Sequence, residues 1–218
     1  MGKFILGLIF IAILASTINS SLEGRSEDAA GAAPTQPAEV QIVTGQERDE
    51  IVARAVKGLV LERDKIEKVS FYSAKLPRLA TRVETYIGLP DNKQPYARMK
   101  TIYFGDDWIF YDSIKVLVDD QVLYENEFRR AEVVRNNSGG SVWEVADYLA
   151  NDVELATLYA IASSKSATIR FSGAERRHDH EVTNTERRDI RRVLDAYALL
   201  SDQLKREAPN ALDAAATK

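Results

Sequence analysis

Cysteine is absent from the 218 residues of this chain, so neither disulfide bonds nor thiol chemistry can contribute to fold or function. Histidine is scarce, with only two residues, which leaves few nitrogen ligands for a metal site. Neither sign of charge dominates, since 29 basic and 33 acidic side chains give a net charge of −4. A nucleic-acid-binding domain normally carries a strongly basic surface, and the sequence contains no glycine-rich phosphate-binding motif. We therefore expect neither a nucleic-acid partner nor a cofactor.

The longest apolar run lies at the N-terminus, where Lys3 precedes the 11 uncharged residues Phe4 to Leu14. A basic residue, a short apolar core and the small residues Ala15 and Ser16 are typical of a secretory signal peptide. A membrane-spanning helix needs about 20 apolar residues, so an uncleaved short anchor within residues 1–20 is the alternative. Either interpretation predicts export to a periplasmic or extracellular location, with the membrane contacted only through this segment.

Composition then divides the rest of the chain into three parts. Residues 21–45 are rich in Ala, Gly, Ser, Pro and acidic residues, which predicts a flexible linker. Residues 207–218 are small and polar, which predicts a disordered tail. Residues 46–206 have the composition of a single folded domain, and about 160 residues are enough to bury a substantial core.

Helical and strand-like patterns occupy different parts of this domain. The patterns Thr44-x-x-Glu47 and Thr183-x-x-Glu186 predict two helix starts, because Ser or Thr followed three residues later by Glu forms a capping box. Between residues 65 and 149, short alternating runs separated by turn residues predict sequential antiparallel strands, among them a short aromatic strand over 108–111. A further helix is predicted over 153–162 and a further hairpin over 167–182.

The predicted fold class is α+β. We expect an antiparallel sheet of about eight strands in meander order, with a long amphipathic C-terminal helix packed on one face and one or two further helices. The C-terminal helix is the clearest element, because its apolar residues recur at helical spacing along one stripe: Ile190, Val193, Leu194, Tyr197, Leu200 and Leu204.

His178 and His180 are the candidate metal ligands. On a strand, residues two apart point to the same face about 7 Å from each other, so both imidazoles could bind one metal ion. A catalytic zinc site takes three protein ligands, and with no third histidine a distant Asp or Glu would complete the set. The alternative is a solvated edge strand of alternating charge.

Two further groups of residues are candidates for ligand binding. The aromatic residues Trp108, Phe110, Tyr111 and Trp143 could line a binding face, although aromatic residues on strands more often form core or cross-strand pairs. Arg176, Arg177 and Arg188 belong to an arginine-rich stretch that could bind anionic groups, although acidic residues in the same stretch offset most of its charge.

These observations lead to three functional hypotheses. The first is an exported cell-envelope binding or accessory protein without enzymatic activity, whose partner is an envelope protein or a small ligand. The second is a metal-dependent hydrolase centred on the His-x-His strand. The third is a peripheral envelope module that binds anionic groups through its arginine-rich helix.

Overall fold

The computed structural model describes residues 45–75 and 79–205. The predicted leader, the predicted tail, all of the predicted linker but its last residue, and Thr44 of the first capping box lie outside the described residues. None of the helices in the described ranges is long and apolar enough to cross a membrane.

The described part of the chain contains three α-helices, ten strands and one short 3-10 helix. The first half consists of α1 Gly45–Ala55, β1 Val60–Asp64, β2 Val69–Ser73, β3 Arg82–Pro90, β4 Tyr96–Gly105, β5 Ser113–Val118 and β6 Gln121–Glu127. The 3-10 helix Arg130–Glu132 then leads into β7 Val133–Ser138, β8 Ser141–Leu149, α2 Asp152–Ser163, β9 Ala167–Ser172, β10 Arg177–Glu181 and α3 Asn184–Lys205.

The ten strands form two antiparallel sheets, one in the order β1-β2-β3-β4-β8-β7 and the other in the order β10-β9-β5-β6. The α+β class and the antiparallel pairing are therefore confirmed, and the division into two sheets corrects the prediction of a single sheet of about eight strands. The chain leaves the first sheet after β4, returns to it at β7, and leaves it again through α2. Alternation of apolar residues shows that a segment is a strand, but it does not show which sheet the strand joins.

Both sheets and the helices α2 and α3 contribute side chains to the main core. Met99 of the six-stranded sheet, Ile114 and Phe171 of the four-stranded sheet, Leu158 of α2 and Leu194 of α3 are all fully buried in it. A second, smaller cluster lies where α1 and the later turns of α3 pack on β2 and β3. The long C-terminal helix therefore holds the two clusters together, since its residues contribute to both.

The start of α3 confirms the predicted capping box. The backbone N–H of Thr183 donates to Oε2 of Glu186 at 2.8 Å, and the backbone N–H of Glu186 donates to Oγ1 of Thr183 at 3.2 Å. The same carboxylate lies 2.9 Å from Nε2 of His180 on β10 and accepts the backbone N–H of Val83 on β3 at 3.4 Å. Glu186 thus joins the first turn of α3 to both sheets.

The folded domain should lose stability at acidic pH through this carboxylate. Burial by itself raises the pKa of Glu186, but the hydrogen bonds with His180 and Thr183 outweigh burial, so the pKa lies below the ordinary value of 4.5. A carboxylate whose pKa is lowered by folding stabilises the protein above its unfolded pKa, and this stability disappears as pH falls through the folded pKa.

Urea unfolding at neutral pH and below pH 4.5 measures this loss. The substitution Glu186→Gln keeps a capping side chain at this position and should make the free energy of unfolding less dependent on pH. The exposed neighbour Glu181 provides the control substitution Glu181→Gln. An equal change of pH dependence in both variants would contradict the role of Glu186.

Candidate binding site

The connection between β4 and β5, residues 106–112, is named here the aromatic loop because Trp108, Phe110 and Tyr111 lie in it. Sequence alternation predicts a short strand over 108–111, and this prediction is wrong, since the segment pairs with no strand among the described residues. Phe110 has φ +55°, a left-handed conformation that bulky residues rarely adopt. Its side chain is nevertheless 55% exposed, so the strained residue presents its ring to solvent.

The carboxylate of Glu144 on β8 fixes the backbone of the aromatic loop. Its Oε1 accepts the backbone N–H groups of Ile109 and Phe110, both at 2.8 Å, and its Oε2 accepts the backbone N–H of Tyr111 at 2.9 Å. The Glu144 side chain is fully buried, and Nε of Arg135 on β7 donates to it at 3.1 Å. Four donors therefore satisfy a charge that would be very costly to bury alone.

Arg135, which binds the Glu144 carboxylate, also contacts the aromatic loop directly. Its Nη2 donates to the carbonyl oxygen of Tyr111 at 2.8 Å, and its guanidinium carbon lies 5.8 Å from the centroid of the Phe110 ring. The ion pair thus holds both the backbone and the exposed ring of the loop. A left-handed phenylalanine stores about 1–3 kcal/mol of strain, and the buried hydrogen bonds explain how this conformation persists.

Three further contacts hold the loop from its other side. Gly173 lies so close to the loop that a Cβ atom there would overlap the carbonyl oxygen of Ile109. The hydroxyl of Tyr103 donates to the carbonyl oxygen of Asp107 at 3.0 Å, and Arg176 forms an exposed ion pair with the Asp107 carboxylate at 3.1 Å. The loop is therefore fixed along most of its length.

The exposed surface of the loop consists of a stacked aromatic pair between two clefts. The Trp108 and Phe110 rings lie with centroids 5.6 Å apart and an interplanar angle of 18°. The first cleft, of about 510 Å³, is lined by Trp108, Phe110, Asp107, Ile109, Ala174, Glu175 and Arg176. The second cleft, of about 500 Å³, is lined by Phe110, Asp112, Phe128, Arg130 and Arg135. Phe110 is common to both clefts, so a ligand in either one meets its ring.

Of the seven residues that the sequence suggested for ligand binding, the structure brings together three around the first cleft, Trp108, Phe110 and Arg176. Tyr111 is fully buried and donates its hydroxyl to the carbonyl oxygen of Thr101 at 3.1 Å. Trp143 alternates with the buried residues of β8 and faces away from the main core. Arg177 and Arg188 are exposed on β10 and α3 and line neither cleft.

Sequence reasoning named Phe110 only as one of several aromatic residues and did not single out Arg135 or Glu144. The sequence does contain one indication of the role of Glu144. This acid occupies an inward-facing position of β8, between the buried residues Val142 and Ala146. A buried acidic side chain on the inward face of a strand needs hydrogen-bond donors to satisfy its oxygens. The sequence gives no indication that these donors are backbone N–H groups more than thirty residues away, since their positions depend on the tertiary fold.

The two candidate metal ligands lie on one face of β10, and each ring has a partner of another kind. The His178 ring packs against Tyr103 with centroids 5.3 Å apart, and burial lowers its pKa, which favours the neutral imidazole. His180 lies against the Glu186 carboxylate. The described ranges contain no group of three or more His, Asp or Glu side chains that could hold a metal ion. The metal-dependent hydrolase stays a prediction.

Much of the arginine-rich stretch is neutralised by neighbouring carboxylates. Arg170 makes two hydrogen bonds of 2.6 Å to Asp179, and Arg191 makes one of 2.8 Å to Asp195. Exposed pairs of this kind add little stability, but they reduce the positive charge available to an anionic ligand. The anion-binding module also stays a prediction.

No family model matches the chain, and comparison with the curated proteins and with the solved structures likewise gives no match. The chemistry of the aromatic loop and its clefts is therefore the basis for a functional proposal.

Loss of the buried carboxylate should destabilise the protein strongly. The substitution Glu144→Gln leaves Arg135 without its buried ion partner and brings an amide donor among the N–H groups of the loop. Breaking one side of a buried ion pair costs about 3–5 kcal/mol, and equilibrium unfolding in urea measures this change in the free energy of unfolding.

The exposed ion pair between Lys115 and Glu125, 2.8 Å apart, provides the matched control. Glu125→Gln removes the same charge from a strand surface and should cost no more than about 1 kcal/mol. Equal losses in Glu144→Gln and Glu125→Gln would show that the buried carboxylate does not hold the loop.

Proposed function

We propose that this protein is a non-enzymatic binding or accessory protein of the cell envelope and that it contacts its partner through the aromatic loop. One observation carries the proposal: Phe110 is held in a left-handed conformation by an ion pair whose carboxylate is fully buried, while Phe110 itself stays 55% exposed. A domain that needed this loop only as a connection could place a glycine or a polar residue at such a position. Strained residues that persist in folded proteins cluster at functional sites.

The rigidity of the loop supports a role in binding. A contact surface that is ordered before association loses less conformational entropy when the partner arrives, and this raises affinity. The Glu144 carboxylate supplies such order, because it bonds three successive N–H groups of the loop. No catalytic arrangement needs to be assumed for this role.

The residue types around Phe110 also fit a protein partner. Tryptophan and arginine are enriched among the residues that contribute most to binding energy at protein interfaces, and Trp108, Arg130 and Arg176 line the two clefts. Small-molecule sites usually bury most of the ligand surface in one concave pocket. Here the exposed ring of Phe110 is shared by two clefts, an arrangement better suited to a partner that covers the whole loop.

The cell-envelope location in this proposal is supported by the N-terminal sequence. Lys3 and the apolar residues Phe4 to Leu14 have the order and length of a secretory signal peptide or a short anchor. In the first case the domain is released after export, and in the second it is held near the membrane by residues 21–45. An envelope protein is therefore the proposed class of partner.

Photo-crosslinking from the aromatic loop tests the binding surface. Benzoylphenylalanine replaces Phe110 in the full chain, expressed in the cells from which the protein comes, and the control carries it at Val122 on β6. Phe110 and Val122 are each 55% exposed, so non-specific crosslinking should be equal. We expect a discrete crosslinked product from position 110, identified by mass spectrometry, and no such product from position 122.

Two outcomes would contradict the proposed surface. Absence of any crosslinked product from position 110 would show that no partner covers the loop. The same set of products from both positions would show that collisions, rather than a specific interface, account for the crosslinks.

Export is tested by fractionation of cells that express the full chain or a variant without residues 1–20. We expect the full chain outside the cytoplasm and the variant inside it, because the variant lacks the apolar segment that directs translocation. Sequencing of the mature N-terminus then distinguishes a released domain from one that begins at Met1 and remains anchored. Full-length protein in the cytoplasmic fraction would refute the envelope location.

A further inference from the structure

We propose that the partner contributes an extended peptide segment that pairs with the free edge of β7 as an additional strand and places one side chain in the second cleft. This inference rests on the proposed function, because it specifies what binds at the aromatic loop. It uses two observations beyond those already given: the composition of the edge strands and the register of the hairpin formed by β7 and β8.

Among the described strands, four lie at sheet edges: β1 and β7 in the first sheet, and β6 and β10 in the second. Proteins commonly protect edge strands from unwanted pairing with charged side chains. Three of these edges carry such charges: Glu62, Arg63 and Asp64 on β1, Glu125 and Glu127 on β6, and Arg177, Asp179 and Glu181 on β10. In β7 the only charged residue is Arg135, whose partly buried guanidinium binds the Glu144 carboxylate and the carbonyl oxygens of Val133 and Arg130. This edge alone among the four carries no charged side chain that is exposed.

The hairpin register determines which backbone groups of β7 point to the free edge. Ser138 lies opposite Ser141 across Gly139 and Gly140, whose φ values of +61° and +85° are those of a two-residue hairpin turn. In such a hairpin the residues that flank the turn bond to each other, and bonded and non-bonded pairs then alternate along the ladder. Arg135 therefore belongs to a non-bonded pair and turns its N–H and C=O groups away from β8. Val133 does so by the same alternation, and its C=O group accepts Nη1 of Arg135 at 3.1 Å.

The same register places a side chain of the added strand in the second cleft. A residue opposite Arg135 on a neighbouring strand points to the same face of the sheet, about 5 Å away between Cβ atoms. On that face the Arg135 guanidinium lies beside the Phe110 ring and lines the second cleft with Phe128. The cleft presents two aromatic rings, so a large apolar side chain fits there.

Charge and exposure define the neighbouring positions of the segment. The exposed Arg130 lines the second cleft and favours an acidic residue next to the apolar one. On the opposite face of the sheet, the side chain of Val134 is 64% exposed beside its cross-strand partner Val145. The proposed occupant is therefore a segment of a partner protein with alternating apolar residues and an acidic neighbour.

The probe for this proposal is a phage-displayed library of random short peptides, selected on the full-length protein. Selected peptides should share an apolar residue with an acidic neighbour, and their binding should protect the Arg135 amide from hydrogen exchange. Asn137 also turns its N–H to the free edge by the same alternation, although this N–H now bonds to the Asn136 side chain. The substitution Asn137→Pro puts a proline ring at that edge, where it blocks a neighbouring strand.

We expect Asn137→Pro to weaken peptide binding by about tenfold or more, which corresponds to about 1.4 kcal/mol. Asn137→Ala removes the side chain but keeps the N–H, and should bind as the natural chain does. Val134→Lys adds the charge that the other edges have and should also weaken binding, whereas Val122→Lys on β6 should not. Thermal unfolding identifies any variant that fails to fold. If Asn137→Pro does not fold, Val134→Lys still tests strand pairing, because Val134 is exposed and its replacement should not disturb the core.

Unchanged affinity in folded Asn137→Pro and Val134→Lys, or an unprotected Arg135 amide, would overturn strand pairing. If crosslinking from position 110 still gives a specific product in that case, the aromatic loop remains a binding surface with another kind of partner. If neither peptides nor crosslinks are found, both proposals are wrong. Recovery of a glycan rather than a peptide at position 110 would also overturn the inference.

Discussion

The aromatic loop depends on a single buried carboxylate. Glu144 lies in the inward phase of β8 and is satisfied by three backbone N–H groups and one guanidinium. A buried charge with fewer donors would destabilise the fold by several kcal/mol. The loop must therefore keep the conformation that supplies these donors, and the left-handed backbone of Phe110 follows from this requirement. The exposed aromatic surface is thus a consequence of polar chemistry in the interior.

A second buried carboxylate has a different role. Glu186 caps α3, contacts His180 and accepts an N–H from β3, so it connects the long helix to both sheets. It stabilises the general architecture, whereas Glu144 stabilises a local and strained conformation. The two carboxylates show how a chain without disulfide bonds can fix specific geometry, because each acid satisfies several donors from different elements.

The elements were largely predictable from local pattern. The capping box at Thr183 and the apolar stripe of α3 predict the helix that the structure has at Asn184–Lys205. Strand alternation predicts most strands, because most of them bury one face, as β8 and β9 do. The prediction for 108–111 was wrong because aromatic residues favour strands in general, while the backbone there is held by Glu144 from another strand. The sheet to which each strand belongs could not be predicted either, since the pattern of a strand does not show which strand it pairs with.

The candidate site was predictable only in part. Trp108 and Arg176 have the residue types expected of a binding surface, and both line the first cleft. Tyr111 belongs to the same short segment, yet it is fully buried in the core. Residue type alone does not distinguish these cases, because neighbouring residues in a loop can point in opposite directions. The contribution of Phe110 depends on its backbone conformation, which no local pattern of this sequence indicates.

The sequence by itself determined the fold class, the antiparallel pairing and the start of the last helix, because these depend on residue periodicity and local capping. It also contains the apolar N-terminal segment on which the proposed export rests. Only the tertiary structure decided that Glu144 contacts the 109–111 backbone, that Phe110 is strained and exposed, and that β7 forms an edge without an exposed charged side chain. These features depend on contacts between residues far apart in the chain, and such contacts arise from packing rather than from local preference.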